Sequence, residues 1–175
     1  MRIKDREFKP FISETELDTI VRRLAAEISA DYRDRDLVAC PILTGAFMFA
    51  ADLLRRLTVP CEVSFVRYTS YDGMSSTGQV NCALPFPEEI KGRDVLIVED
   101  VVDTGLSMQH MLSAVQTFHP RSVKICALLF KPDSFKGNYK VDYVGRNIGN
   151  EFIVGYGLDY DEQGRTLPEV MIVED

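Results

Sequence analysis

The chain is short of the features that mark several large protein classes. No apolar stretch approaches the roughly 20 residues that cross a bilayer. The amino-terminal MRIKDREFKPF lacks the apolar middle of a secretory signal. Both absences predict a cytoplasmic protein that does not engage a membrane. The four cysteines, Cys40, Cys61, Cys82 and Cys126, are dispersed and make no CxxC pair, and the only histidines, His110 and His119, add no zinc-like spacing. Three of these cysteines lie in or beside apolar runs, which suits buried free thiols better than a catalytic cysteine. Positive charge is also in deficit: the net charge is −7, and an extended nucleic-acid footprint wants a basic face. Neither GxxxxGK[ST] nor GxGxxG occurs, which excludes the common nucleotide-hydrolase and dinucleotide fingerprints. Internal repeats, low-complexity tracts and linkers are absent too, so the 175 residues are expected to form one domain large enough for a sizeable core.

What is present alternates between two periodicities. Ser13-Glu14-Thr15-Glu16 matches a capping box, and Leu17, Ile20, Val21, Leu24 and Ile28 follow at helical spacing until the polar DYRDRD stretch. LVACPIL (37–43) is expected as a buried strand, Thr44-Gly45 as a break, and AFMFAADLLRRL (46–57) as a second helix. CEVSFVRY (61–68) alternates like a strand, and the polar SYDGMSSTGQ (70–79) is expected as a mobile surface loop. Residues 94–98 and 123–130 are apolar strands separated by an amphipathic helix over 106–118, with shorter strands expected at 141–144 and 152–156. Strands alternating with helices of about a dozen residues imply an α/β fold with a central, mostly parallel sheet covered on both faces.

One segment concentrates chemistry. In VLIVEDVVDTGLS (95–107) an apolar run ends in Glu99 and Asp100, and Asp103-Thr104-Gly105-Leu106-Ser107 then leads into a helix. Ligands of open α/β sheets bind beyond the carboxyl ends of strands. Unsatisfied N–H groups at a helix start favour an anion. Gly105 permits close backbone approach, and Thr104 and Ser107 offer hydroxyls. Two adjacent acids are costly to bury unpaired, so they are expected to meet hydroxyls, a cation or a developing positive charge. Taken alone, the Asp-Thr-Gly turn also suits a simple helix cap.

Residues 95–107 resemble the 5-phosphoribosyl-1-pyrophosphate (PRPP) motif of type I phosphoribosyltransferases. VDYVGRNIGNEFIVGYGLDYDEQGRTLP (141–168) is similar to the carboxy-terminal segment of the hypoxanthine-guanine branch, and the SYDGMSSTG loop matches that branch as well. The likeness runs from about residue 8 to 174. It implies a core over about 35–145 and a small hood built from about 1–15 and 146–175. By resemblance, Glu99 and Asp100 lie near the ribose hydroxyls and favour oxocarbenium-like charge. Asp103 is a proton acceptor near N7 of the purine, and Thr104, Gly105, Leu106 and Ser107 hold the 5′-phosphate. Lys131 donates to a 6-oxo group, although a strand-end lysine is usually solvated. Phe152 stacks on the base, although read alone it suits a core strand, and Ile153 offers backbone contacts at the edge of the base. Asp159 contacts the base side and binds magnesium, for which Glu99 and Asp100 are further ligands. Arg165 contacts pyrophosphate, as do backbone donors at Thr44 and Gly45. Ser70 and Tyr71 sit on a loop that closes over the centre. Thr44 and Leu106 stand where relatives often carry lysine.

The resemblance thus implies transfer of phosphoribosyl from PRPP to hypoxanthine or guanine, with magnesium, in a homodimer or homotetramer. Alternatives are transfer to xanthine, orotate or adenine, or an RNA-binding regulator on the same fold; the net charge disfavours the regulator.

Overall fold

A computed structural model describes residues 1–70 and 80–174. At its centre are five strands that pair only in parallel, in the order β4-β3-β7-β8-β9. They are β3 (Leu37–Pro41), β4 (Cys61–Val63), β7 (Asp94–Val102), β8 (Ser122–Phe130) and β9 (Tyr143–Asn147). Alternation along β7 and β8 divides the core in two. Leu96, Val98, Cys126 and Leu128 face Leu17, Val21, Leu24 and Ile28 of α1 (Glu14–Asp31) and Phe49 and Leu53 of α2 (Phe47–Leu54). Val95, Ile97 and Ile125 face Met108, Met111 and Val115 of α3 (Leu106–Gln116). Helix α1 begins with the expected capping box: Ser13 Oγ accepts from the Glu16 N–H, and Glu16 accepts from the Ser13 N–H at 2.9 Å.

A second, antiparallel sheet brings the two chain ends together in the order β1-β2-β11-β10. It is made of β1 (Arg2–Ile3), β2 (Arg6–Ile12), β10 (Ile153–Val154) and β11 (Val170–Val173). Strands β2 and β11 escape sequence periodicity because they pair across almost the whole chain, and Pro10 interrupts β2 opposite a register shift at Val170/Met171, while β1 is a two-residue edge strand too short to show a period. This hood is fastened to the core by the Tyr156 hydroxyl, which donates to Asp52 of α2.

Several expected boundaries move. Residues 61–68 are not one strand: β4 joins the main sheet, and Arg67–Ser70 forms β5, a hairpin with β6 (Val80–Leu84). The expected strand 152–156 shrinks to β10 because Gly155, Tyr156 and Gly157 all adopt positive φ. Helix α2 stops at Leu54 rather than 57, and β9 lies later than 141–144. All four cysteines are free, with Cys40 and Cys126 buried, Cys61 half-buried and Cys82 exposed. No helix among the described residues is long and apolar enough to cross a membrane.

Asp94 is a buried acid that starts β7. Burial acts to raise its pKa, but Arg121 and Ser122 outweigh it and hold the carboxyl below its ordinary 3.8. Arg121 donates to it at 2.8 and 3.2 Å and the Ser122 hydroxyl at 2.6 Å. A carboxyl lowered on folding stabilises the fold above its unfolded pKa, and that stability is lost as pH falls through the folded value. Asp94→Asn should therefore cost about 1–3 kcal/mol in urea unfolding at pH 7. The difference from the parent chain should shrink as the pH falls through the lowered Asp94 pKa.

Candidate active site

Strand order fixes where a ligand can sit. From β3 the chain crosses through α2 to β4 on one side, whereas β7 lies on the other side of β3 and leads outward to β8 and β9. The crevice beyond the carboxyl ends of β3 and β7 is thus the topological switch point, where α/β sheets bind ligands. The turn after β3 supplies Thr44, which is exposed, and Gly45, and the Leu43–Thr44 peptide is cis. A Cβ on Gly45 would overlap the Asp100 carboxylate, and one on Gly157 would overlap the Gly45 carbonyl oxygen. Gly45 is therefore pressed between the end of β7 and the hood. That contact requires the smallest residue.

The two acids lie inside β7 rather than just beyond it, since pairing with β8 continues through Val102↔Phe130. Glu99 is half-buried and Asp100 buried. The Asp100 N–H donates to Glu99 Oε1 at 3.2 Å, and the Val101 N–H donates to Asp100 Oδ1 at 2.8 Å. Burial, and next the charge of Asp100, push the Glu99 carboxyl well above its ordinary value. Among the described residues no basic group pairs with either acid: nearby ion pairs join Lys131 to Asp103 and Arg165 to Asp159.

Asp103 and Lys131 meet where β7 and β8 end. Lys131 Nζ lies 2.9 Å from Asp103 Oδ2, and the lysine is buried while the aspartate is half-exposed. The expectation that a strand-end lysine is solvated fails here because β8 ends beside β7's own acidic turn. Gly105 then turns the chain into α3 at φ +77°. Thr104, Leu106 and Ser107 are exposed around that turn, and Thr104 Oγ1 lies 3.5 Å from the Leu106 N–H, at the limit of a hydrogen bond. The simple helix-cap reading therefore has little support, for Asp103 bonds Lys131 and no side chain caps α3.

The hood contributes the remaining predicted residues. Phe152 precedes β10 and is exposed to 39%, so the reading of it as a core strand aromatic is corrected. Its ring packs edge-on to Tyr160 at 5.6 Å, and the Arg6 guanidinium lies 5.4 Å from its centroid. Ile153 is buried. Asp159 and Arg165, expected to face a metal and pyrophosphate respectively, are instead paired with each other at 2.8 Å. Asp159 also accepts from the Glu162 N–H at 2.8 Å, and Arg165 donates to the Gly157 carbonyl at 2.9 Å. Ser70 is the last residue of β5, and Tyr71 lies outside the described residues.

Sequence reasoning missed Phe135, Lys136 and Tyr139, which pack under the Thr104–Gly105 turn. Two aromatics spaced through the otherwise polar KPDSFKGNY were the available signal.

A parallel sheet carrying acids and an anion-receptive helix start at its switch point is the architecture of a sugar-phosphate transferase. The chain belongs to the phosphoribosyl transferase domain family, whose model matches residues 13–161. It is 41% identical over 165 residues to the hypoxanthine phosphoribosyltransferase of Buchnera aphidicola subsp. Schizaphis graminum, with 93% of each chain covered. It is 44% identical over 154 residues to the hypoxanthine-guanine phosphoribosyltransferase of Mycobacterium avium, covering 84% of this chain and 76% of that one. A crystal structure of a hypoxanthine phosphoribosyltransferase from Staphylococcus aureus superposes with a TM-score of 0.91 at 34% identity, covering 97% of this chain and 92% of that one.

Gly45→Ala tests the packing of the switch point. The added methyl must displace Asp100, so the variant should lose about 1–3 kcal/mol in chemical unfolding, the range for overpacking. Unchanged stability would show that the turn is free to retreat.

Proposed function

We propose that this protein is a purine salvage enzyme that transfers the 5-phosphoribosyl group of PRPP to N9 of hypoxanthine or guanine, giving IMP or GMP and pyrophosphate. One observation carries the assignment. An acid pair without basic partners among the described residues, an anion-receptive helix start and an aspartate–lysine pair converge at one end of the sheet, matching the opposed charges of this substrate pair.

Each end of the substrate meets a chemically suited group. The N–H groups and hydroxyls of Thr104–Ser107 would hold the 5′-phosphate. Glu99 and Asp100 would accept from the ribose hydroxyls and stabilise positive charge as the C1′–oxygen bond to pyrophosphate breaks. Lys131 has three donors, so it can give one to a purine 6-oxo group and disfavour adenine, which bears an amine there. The base's arrival would release Asp103 from Lys131, and its carboxylate would take the N7 proton as N9 bonds C1′. Phe152 would stack on the base while Ile153 meets its edge. Thr44 and Gly45 backbone groups, with Arg165 freed from Asp159, would hold pyrophosphate. Ser70, at the end of β5, and Tyr71 would close over the centre and exclude water.

Carboxylate oxygens are hard ligands that suit magnesium, and an acid pair lacking a basic partner among the described residues fits a divalent cation. No cluster of three or more potential ligands occurs among the described residues, which supports a cation held largely by substrate oxygens. Glu99 and Asp100 at one side, and Asp159 separately at the other, would offer oxygens to substrate-held magnesium without forming one three-residue site, and the metal would offset charge on the departing pyrophosphate.

The net charge of −7 favours the enzyme over an RNA-binding regulator. Multiply charged substrates that do not cross bilayers support a cytoplasmic location. Val63, Phe65 and Leu84 are exposed apolar side chains beside the β3–β5 connection, a surface suited to a homodimer or homotetramer.

PRPP- and magnesium-dependent turnover should appear with hypoxanthine or guanine and be weak with adenine; no turnover on any 6-oxopurine would overturn the proposal. Asp103→Asn should lower kcat by about a hundredfold or more while PRPP binding changes little. Equal losses in both would refute a proton-transfer role.

A further inference from the structure

The segment Lys131–Tyr139 lies under the anion-receptive turn and touches it at several points. Tyr139 Oη donates to the Gly105 carbonyl at 3.0 Å, and the Lys136 N–H donates to the Thr104 carbonyl at 2.9 Å. A Cβ on Gly105 would lie 2.5 Å from Phe135 Cε2 and 2.6 Å from Tyr139 Oη. Phe135 is wedged in place by edge-on contacts with Phe130 at 5.1 Å and Tyr139 at 5.2 Å. Phe130 is the last residue of β8, so this aromatic row is anchored on the central sheet.

Peptide geometry turns these contacts into a statement about direction. In a planar trans peptide the C=O and the following N–H point opposite ways. The Gly105 carbonyl also accepts from the Gln109 N–H of α3 at 3.1 Å, so Tyr139 gives it a second donor; with Lys136 on the Thr104 carbonyl, these bonds keep the N–H groups of Gly105 and Leu106 facing away from that segment. Burial, and next the charge of Glu99, push the Tyr139 hydroxyl up to about 12, so it stays a donor at neutral pH.

We propose that Tyr139 is a positioning residue for the 5′-phosphate, acting through the Gly105 carbonyl to orient the N–H groups that receive the anion. This rests on the reading of Thr104–Ser107 as the PRPP phosphate site. Tyr139 itself touches no reacting atom. Phe135 supports it by fixing the ring, and Gly137 is needed because a Cβ there would fall 2.6 Å from both Phe135 and Tyr139. Lys131, at the other end of the segment, is held by its own bond to Asp103, so disturbance at Tyr139 should not spread to the base.

Tyr139→Phe keeps the ring and removes only the donor. In steady-state kinetics the KM for PRPP should rise about fivefold, the scale of one neutral hydrogen bond, while kcat and the KM for hypoxanthine stay within about twofold. An unchanged PRPP KM, or equal rises for PRPP and hypoxanthine, would overturn the proposal. The thermal shift produced by ribose 5-phosphate gives a readout independent of turnover: it should be smaller in the variant than in the parent chain, and equal shifts would also overturn the proposal. Failure of the parent chain to turn over any 6-oxopurine would instead strike the functional reading alone.

Discussion

Placement of two adjacent carboxylates in the central strand is the constraint from which the site follows. Unlike charges in loops, Glu99 and Asp100 cannot swing into solvent, because β7 is paired on both sides up to their position. Asp100 occupies the space that a side chain on Gly45 would need, and Glu99 is raised well above its ordinary pKa by burial and by its neighbour. Ionising both acids is therefore costly, and among the described residues no basic group offsets it where strand order opens a crevice. A ligand presenting hydroxyls, a cation and an incipient positive centre relieves that cost; a purely anionic one increases it. The anion-receptive groups accordingly sit one turn further on, at the start of α3.

The hood completes this arrangement by close packing. Gly157 approaches Gly45 as closely as backbones allow, and Tyr156 bonds to Asp52 on α2. One glycine of the β3 turn thus touches both the acid pair and the hood. The hood's Arg165 bonds Asp159 and the Gly157 carbonyl, which places a basic group beside that same turn.

Much of this was legible in the residues. The capping box at Ser13 and the apolar runs of β7 and β8 are local signals, and local signals survive without tertiary context, whereas the loop expected at 70–79 lies almost wholly outside the described residues. The acid pair and the Gly105 turn were visible because charge and glycine are rare inside buried strands. The hood strands were not: β2 owes its conformation to β11, some 160 residues away, and Pro10 disguised its alternation. Nor could spacing show that Asp159 pairs with Arg165, that Lys131 is buried, or that Tyr139 holds Gly105. Each depends on side-chain packing that spacing does not encode, and the family resemblance pointed to none of these contacts.

If the acid pair is retained for the substrate, it weakens the ligand-free fold. A carboxyl raised on folding favours the fold at low pH and withdraws that support as pH rises through its folded value. Glu99→Gln keeps an oxygen to accept from the Asp100 N–H but removes the charge. Urea unfolding of the ligand-free variant at neutral pH should therefore show a higher midpoint than the parent chain. A lower midpoint would contradict the account, since it would mean that the Glu99 charge supports the fold instead of straining it.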